Sequence, residues 1–302
     1  MNLRAAAVDI GTNSCRLLIA EKKTDESFDI LNRKLEITRL GEGVDQNKIL
    51  KEKAVNRVYK VLKKYKEITD EFQVNSIRIV GTSALRDVDN SYLLTEKVKD
   101  LGLELEIISG EKEAELNYLG AVSNLEDNFL LVDIGGGSTE FIWSNSSEIN
   151  FKSLDVGCVR MTEKFISDPN KKVSSTEINE IKSHVDNLLS KELELDKDFK
   201  VKGVGGTITT VAAVKLALEV YDSSKIENLK LKYSELKKIR DRLKDLKLKE
   251  RKKVKGLQPK RADIIVSGLI ILMTIMKHIN SQELYVSDHD LLYGLLKEEL
   301  FN

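Results

Sequence analysis

The sequence predicts an α/β protein built from two duplicated βββαβα domains with a cleft between them. The stretch 130–142, LLVDIGGGSTEFI, is an apolar run, a glycine-rich turn with an acid on each side, and a second apolar run. The stretch 5–20, AAAVDIGTNSCRLLIA, likewise has two apolar runs joined by an Asp-x-Gly turn, and its Asp9 precedes Asp133 by 124 residues. Each stretch continues into a third strand and then into helix–strand–helix patterns. This repeat predicts a gene duplication, with the two turns facing each other across the cleft.

The elements of the first half follow from hydrophobic periodicity. Residues 3–40 contain three predicted strands, and the third alternates apolar and polar residues from Phe28 to Leu40. The region 48–71 has apolar residues at the spacing of one helical face. The other elements predicted for this half are a strand at 76–80, a loop at 81–90, a helix at about 90–100, a strand at 103–108 and a helix from 109 or 110 to about 123.

The second half repeats the pattern and adds helices. Strands are predicted at 129–133, 139–143, 148–155 and 283–287, and a further strand begins at Val201 and ends in a second glycine-rich turn, 203–207. Helices are predicted at about 158–167, 174–192, from the second turn to about 220, 233–247, 262–279 and 288–300.

The domain boundary is predicted inside the helix that begins near residue 110. No low-complexity linker separates the two halves, and only two prolines occur. We therefore expect domains at 1–122 and 123–287. The sequence leaves open whether the segment 288–302 packs back on the first domain.

The composition excludes several classes of protein. The 302 residues are 41% apolar, which suits a globular protein. No apolar run reaches the roughly 18–20 residues that span a bilayer, and no signal peptide is visible, so we expect a cytoplasmic protein with no membrane partner. Two cysteines cannot form a disulfide framework, and three histidines favour neither a zinc site nor a His-based triad.

The net charge is zero, but the charges are unevenly distributed. The segment 225–261 contains 16 Lys and Arg against 5 Asp and Glu, an excess of eleven positive charges. Two interpretations stay open. The segment forms ordinary solvated helices, or it forms an electropositive surface that attracts a polyanion.

Eight motifs cover nearly the whole chain. They are DIGTNSCRLL at 9–18, GTSALRDVDN at 81–90, IISGEKEAELNYLGA at 107–121, DIGGGSTEF at 133–141, SLDVGCVRMTEKF at 153–165, GVGGTITTVA at 203–212, GLQPKRADIIVSG at 256–268 and VSDHDLLYGLL at 286–296. In sequence and in order they resemble the motifs of the exopolyphosphatase / guanosine pentaphosphate phosphatase (Ppx/GppA) family, which belongs to the actin-like ATPase superfamily. Asp290 departs from the pattern, because it stands where the family has a glycine.

The resemblance implies a fold and an activity. The fold would be two actin-like (ribonuclease H-like) domains in the short, two-domain form of the family. The activity would be hydrolysis of a terminal phosphoanhydride of inorganic polyphosphate, with Mg²⁺ as cofactor and orthophosphate as product. Guanosine pentaphosphate is the alternative substrate, since its removable phosphate would occupy the same site. A homodimer is left open, and we expect no nucleic-acid partner.

The turns at 11–14 and 135–138 are the predicted phosphate-binding elements. Glycine lets backbone amides approach an anion closely, and hydroxyl groups add donors. The glycine-rich turn at 203–207 and the basic residues near 260 would border the cleft and contact further phosphates. The predicted phosphate-binding residues are Gly11, Thr12, Asn13, Ser14, Gly135, Gly136, Gly137, Ser138, Thr139, Gly206, Thr207, Lys260 and Arg261.

The acids and one arginine are the predicted catalytic residues. By its place in the family motif, Glu113 would be the general base that activates water, although Glu111 and Glu115 are its equals in sequence alone. Arg86 would grip phosphate oxygens, unless it forms an ion pair with an acid such as Asp87. The predicted metal-binding residues are Asp133, Glu140 and Asp9, and Glu140 would also help to orient the catalytic water.

Arg16 is a secondary candidate, since it follows the first turn and its direction cannot be read from the sequence. Two further functions stay open. An ATP-using transferase of the same superfamily would bind a nucleotide at 203–207, but no acceptor site is evident. A non-catalytic module that senses polyphosphate or the alarmone nucleotide would not need the water-activating acids.

Overall fold

A computed structural model describes residues 3–24, 27–122, 128–145, 148–195 and 199–301. The chain forms two compact units. Unit 1 contains Met1–Ser123 together with His289–Asn302, and unit 2 contains Asn124–Asp288. Among the described residues, no helix is long and apolar enough to cross a membrane.

Unit 1 is built on a five-stranded mixed sheet. The strands are β1 (Arg4–Ile10), β2 (Ser14–Thr24), β3 (Ser27–Ile37), β4 (Ser76–Gly81) and β5 (Glu106–Ile107). Their order across the sheet is β3-β2-β1-β4-β5. The first three strands are antiparallel neighbours, whereas β4 runs parallel to β1 and β5 parallel to β4. Strand β1 is apolar at almost every position because helices cover both faces of the sheet.

The helices of unit 1 give the sheet its two covered faces. They are α1 (Val44–Asn47), α2 (Glu52–Glu71), α3 (Ser83–Arg86), α4 (Tyr92–Asp100) and α5 (Gly110–Ala121). Val8 of β1 lies in the core cluster that contains α2 and α4, while Ala7 lies in the cluster of the opposite face. Helix α5 begins at an N-cap serine, Ser109, whose hydroxyl accepts a hydrogen bond from the Lys112 amide at 3.1 Å.

Unit 2 repeats the sheet of unit 1 and extends it. Its strands are β6 (Phe129–Ile134), β7 (Thr139–Asn145), β8 (Glu148–Leu154), β9 (Lys200–Val204), β10 (Lys230–Lys232) and β11 (Glu283–Val286). The order is β8-β7-β6-β9-β11-β10, which is the order of unit 1 with one strand added at the edge. The predicted α/β class and duplication are therefore confirmed.

The helices of unit 2 surround a long apolar helix. They are α6 (Cys158–Phe165), α7 (Ser175–Glu192), α8 (Gly205–Lys215), α9 (Ser223–Ile226), α10 (Tyr233–Lys244), α11 (Leu248–Arg251) and α12 (Ile265–His278), with a single 3-10 turn at Pro259–Arg261. Helix α12 is buried over 265–276, and it packs against α6, α7, α8 and α10. It is hydrophobic on all sides because neighbours surround it.

Helix α13 (Leu291–Phe301) belongs to unit 1 although it follows unit 2 in the chain. It packs on α5 and β1, and Leu295 and Leu296 are fully buried there. Gly120 and Gly294 permit this packing, since a Cβ on either would come within 2.1 Å of a backbone carbonyl oxygen of the facing segment.

Several predicted boundaries differ from the structure, and one strand was not predicted. The strand predicted at 103–108 is reduced to the two residues of β5, and the short strand β10 was not predicted. The helix predicted to reach 220 ends at Lys215, because Ala217 adopts a left-handed φ of 50° and the Leu218 amide bonds back to Ala213. The helix predicted at 233–247 ends at Lys244, and the separate helix α11 follows.

Candidate functional site

The turn between β1 and β2 has its carbonyl groups bound from one side. The Gly11 amide closes the turn by donating to Ser14 O at 2.9 Å. The carbonyls of Thr12 and Asn13 accept hydrogen bonds from amides of the segment 38–41. In a trans peptide the next N–H points away from the carbonyl, so the amides of Asn13 and Ser14 point away from that segment. We find no acceptor for the Asn13 amide among the described residues.

Two buried polar atoms lie at the same turn. Asn13 and Asp9 are 6% and 5% exposed. Asn13 Nδ2 and Asp9 Oδ1 have no hydrogen-bond partner among the residues that the structure describes. A buried amide donor without a partner is costly, and a bound anion would satisfy it.

Arg16 connects Asp9 to the segment that precedes α13. Its Nε and Nη2 donate to Asp9 Oδ2 at 2.9 and 2.7 Å, and its Nη1 donates to Asp290 Oδ2. Burial raises the pKa of Asp9, while the Arg16 guanidinium opposes that rise. The direction of Arg16, which the sequence left open, is therefore toward two carboxylates of its own unit.

The structure brings Arg86 and Glu113 together. Arg86 Nη1, at the end of α3, donates to Glu113 Oε2 at 2.7 Å and to Ile108 O at 3.1 Å. The ion pair that the sequence left open for Arg86 is thus present, with Glu113 as the acid. Glu113 is 8% exposed, whereas Glu111 and Glu115 are exposed. Burial therefore separates three glutamates that the sequence could not distinguish.

The turn between β6 and β7 in unit 2 repeats the design of the first turn. The Gly135 amide donates to Ser138 O at 3.0 Å. The carbonyls of Gly135 and Gly136 accept from amides of residues 158–160, and Gly137 O accepts from Arg160 Nε at 2.7 Å. The three amides of 136–138 therefore point away from α6, and we find no acceptor for them among the described residues. Such amides form an anion-binding concavity.

Two residues behind this turn were missed by the sequence analysis. Gly157 lies so close that a Cβ there would be 2.2 Å from Gly136 O, and Arg160 is 9% exposed with its guanidinium on the turn. The sequence feature that could have identified them is the motif at 153–165, where Gly157 directly precedes α6 and Arg160 lies in its first turn.

Thr139, a predicted phosphate-binding residue, is fully buried in unit 2, where its hydroxyl donates to Val156 O.

The two acids that flank the turn between β6 and β7 are directly opposite each other in the sheet. Asp133 on β6 and Glu140 on β7 are register partners, and they are 7% and 0% exposed. Glu140 Oε1 accepts a hydrogen bond from Ser153 Oγ at 2.8 Å. A Cβ at Gly205 would lie 2.0 Å from Asp133 Oδ1, so the carboxylate is packed against the second glycine-rich turn of this unit.

Arg261 reaches the same glycine-rich turn. A Cβ at Gly206 would lie 2.1 Å from its Nη1, and its Nε donates to Gln258 Oε1 at 3.1 Å. Thr207 is buried in this turn, while Lys260 is exposed. The structure therefore places a buried guanidinium against the turn at 203–207 and leaves the neighbouring lysine at the surface.

The acids of unit 2 fit a magnesium ion. Mg²⁺ is usually held by one or two carboxylates, and waters and substrate phosphates complete its shell. Asp133 and Glu140 are two such carboxylates, and glycine at 205 lets the first of them lie against the turn at 203–207. No group of three or more His, Cys, Asp or Glu side chains suited to a metal occurs among the described residues. A metal site that is completed by phosphate oxygens of the substrate would not need three protein side chains.

The basic segment is partly structural. Arg251 is fully buried and donates to three backbone carbonyls, those of Leu246, Ala262 and Lys171. Some other cations of the segment form surface ion pairs, such as Lys255 with Glu219. Several more are exposed, namely Lys237, Lys238, Arg242, Lys247, Lys249, Lys252 and Lys253.

The chain was compared with known families and curated proteins. The model of the Ppx/GppA phosphatase family matches residues 18–302. A bifunctional 3-dehydroquinate synthase/phosphatase of Fusobacterium nucleatum is 42% identical over the full length of the present chain. The present chain spans 47% of the length of that protein. Exopolyphosphatase 2 of Mycobacterium tuberculosis is 33% identical, with 97% of each chain covered.

Solved structures agree with these matches. A Ppx/GppA family member from Aquifex aeolicus is 33% identical with a TM-score of 0.81, over 99% of this chain and 98% of that one. An exopolyphosphatase from Cytophaga hutchinsonii is 26% identical with a TM-score of 0.86, over 98% and 97% of the two chains. These matches confirm the resemblance found in the sequence and the predicted actin-like α/β fold.

Proposed function

Because the chain belongs to the Ppx/GppA phosphatase family, we propose that it is a Mg²⁺-dependent exopolyphosphatase that releases orthophosphate from the end of inorganic polyphosphate. One observation carries this proposal. In each unit, the turn that follows the first strand has outward backbone amides without an acceptor among the described residues: that of Asn13 in unit 1 and those of 136–138 in unit 2. Buried acids lie beside these turns, Asp9 in unit 1 and the pair Asp133 and Glu140 in unit 2. Amides suit phosphate oxygens, and acids suit a metal ion and a reacting water.

In the reaction, the oxygen of a water attacks the terminal phosphorus while the P–O bond to the next phosphate breaks. The leaving phosphate keeps the electron pair, and Glu113 takes the proton of the water. Arg86 fixes the Glu113 carboxylate through the 2.7 Å ion pair. The turn amides bind the phosphate oxygens. Asp133 and Glu140 would hold Mg²⁺, which neutralises phosphate charge when it is bound.

The burial of Glu113 supports its role as the base. Its exposed neighbours on α5 provide a matched control, since Glu115 lies half a turn away and carries the same charge. We expect Glu113→Gln to lower kcat for orthophosphate release by about 10²- to 10⁴-fold, and Glu115→Gln to leave it unchanged. Equal activity of Glu113→Gln and the wild-type protein would exclude Glu113 as the base.

The exposed cations of 225–261 favour a long polyanion over a nucleotide as substrate. Each phosphate bound by a cation releases counterions, so the affinity should fall as salt rises. Specificity constants for polyphosphate and guanosine pentaphosphate, measured at two salt concentrations, test this. We expect polyphosphate to be preferred and to show the steeper loss with salt. A higher constant for guanosine pentaphosphate would assign the chain to the nucleotide instead.

A further inference from the structure

The two phosphate turns correspond residue by residue, but their charges differ. A shift of 124 positions places Asp9 on Asp133 and Arg16 on Glu140. The register agrees, because Asp9 pairs with Arg16 across β1 and β2 as Asp133 pairs with Glu140 across β6 and β7. The amide that closes each turn is also the equivalent one. Unit 1 therefore has a guanidinium where unit 2 has a second carboxylate.

The guanidinium of Arg16 is fixed from two sides. Two of its nitrogens donate to Asp9 Oδ2, and the third donates to Asp290. The side chains of Arg16, Asp9 and Asp290 are only 19%, 8% and 10% exposed. Asp290 itself is anchored, since its Oδ1 accepts from the Leu292 amide at 3.1 Å. Asp290 stands at the position where the resembling family has a glycine, so the second anchor is a departure of this chain.

We propose that Arg16, held by Asp290, takes the place of a metal ion in unit 1, so that the chain binds one divalent cation, at the turn of unit 2. This inference rests on the proposed function, because it assigns the metal of that reaction. It also changes the role predicted for Asp9, which becomes a counter-ion of Arg16 instead of a metal ligand. Arg16 and Asp290 are positioning residues.

The electrostatics of the two turns support this division. In unit 1, the Arg16 guanidinium already occupies Asp9 Oδ2, so a metal ion could bind only the other oxygen of the same carboxylate, Oδ1. The two cations would then lie on opposite oxygens of one carboxylate, in a buried site. The two like charges would repel each other strongly. In unit 2, the neighbours are the two carboxylates Asp133 and Glu140, and like charges at opposite positions of a sheet destabilise it. A divalent cation removes that repulsion.

The test counts bound metal ions on the full chain, with Mn²⁺ as the probe and electron paramagnetic resonance or calorimetry as the readout. We expect one Mn²⁺ per wild-type chain, its loss in Asp133→Asn and its retention in Asp9→Asn. Two ions, or a single ion lost in Asp9→Asn, would overturn the division while the metal-dependent reaction stands. Binding of no ion would overturn the metal of the proposed function and, with it, this inference.

A gain of binding tests the role of Arg16 directly. Arg16→Glu gives the first turn the acid pair of the second turn, and we expect it to bind a second Mn²⁺. Arg16→Lys is the matched control, since it keeps a positive charge beside Asp9 and Asp290 without adding a carboxylate, and it should still bind one ion. If a folded Arg16→Glu variant binds only one ion, the guanidinium is not what keeps the metal out of unit 1.

Discussion

Replacing Gly157 by alanine should displace the turn between β6 and β7 without touching any acid. The backbone at Gly157 is ordinary extended chain, with φ −132°, so alanine brings no backbone strain. Its Cβ would, however, lie 2.2 Å from Gly136 O and 2.4 Å from Gly137 N. The peptide between those two glycines must move by roughly 1 Å to restore a normal contact. This movement also stretches the hydrogen bonds by which α6 holds the turn.

The expected magnitude follows from that displacement. An overpacked contact costs about 1–3 kcal/mol of unfolding free energy. A shift of roughly 1 Å in a group that positions the substrate costs about 10²-fold in activity. Orthophosphate release from polyphosphate and urea unfolding measure the two effects on the same preparation.

Gly102→Ala provides the control for this experiment. Gly102 has φ +70°, and nothing lies within 4 Å of its Cβ position. Alanine there should cost about 1 kcal/mol of stability through backbone strain alone and leave kcat/KM unchanged. The reasoning is refuted if Gly157→Ala retains the wild-type kcat/KM, or if Gly102→Ala loses as much activity as Gly157→Ala.

Two further variants test the scaffold. Arg251→Met should lower the unfolding free energy by about 3 kcal/mol, because three backbone carbonyls lose a charged donor, that of Ala262 in a buried hydrogen bond. The exposed Lys249→Met should have little effect, and urea titration compares the two variants. Glu177 is partly buried, but hydrogen bonds from the amides and hydroxyls of Ser174 and Ser167 outweigh that burial and lower its pKa to about 2. Since the folded pKa lies below 4.5, its charge stabilises the fold above that pH, so Glu177→Gln should cost about 1 kcal/mol at pH 7 and progressively less between pH 4.5 and 2. A cost that stays the same across that pH range would contradict the assignment.

The sequence was sufficient where the chemistry is local. An acid, a glycine turn and a hydroxyl within six residues predict a turn with outward amides, and the repeat at Asp133 predicts two of them. The α/β class follows for the same reason, since each strand and helix has its own periodicity. The short strand β10 has no such signal, because Leu231 is its only buried residue and two lysines flank it.

The pairings between distant residues could not be predicted. Arg16 and Asp290 are 274 positions apart, and no spacing rule connects them. Likewise, the family motif points to Glu113, but the difference in burial between Glu113 and its neighbours Glu111 and Glu115 could not be predicted, because it depends on how α5 packs on the sheet. The roles of these residues in hydrolysis remain predictions.

The return of α13 to unit 1 determines the order in which the two units can fold during synthesis. The residues of unit 2 are contiguous, so that unit can complete its core once residue 288 has left the ribosome. One of the two core clusters of unit 1 instead needs Leu291 and Leu295, which are made more than 280 residues after Ala5 and Ala7 of the same cluster. Domains fold as units when their residues are available. The domain that is translated first should therefore be the last to reach its native state.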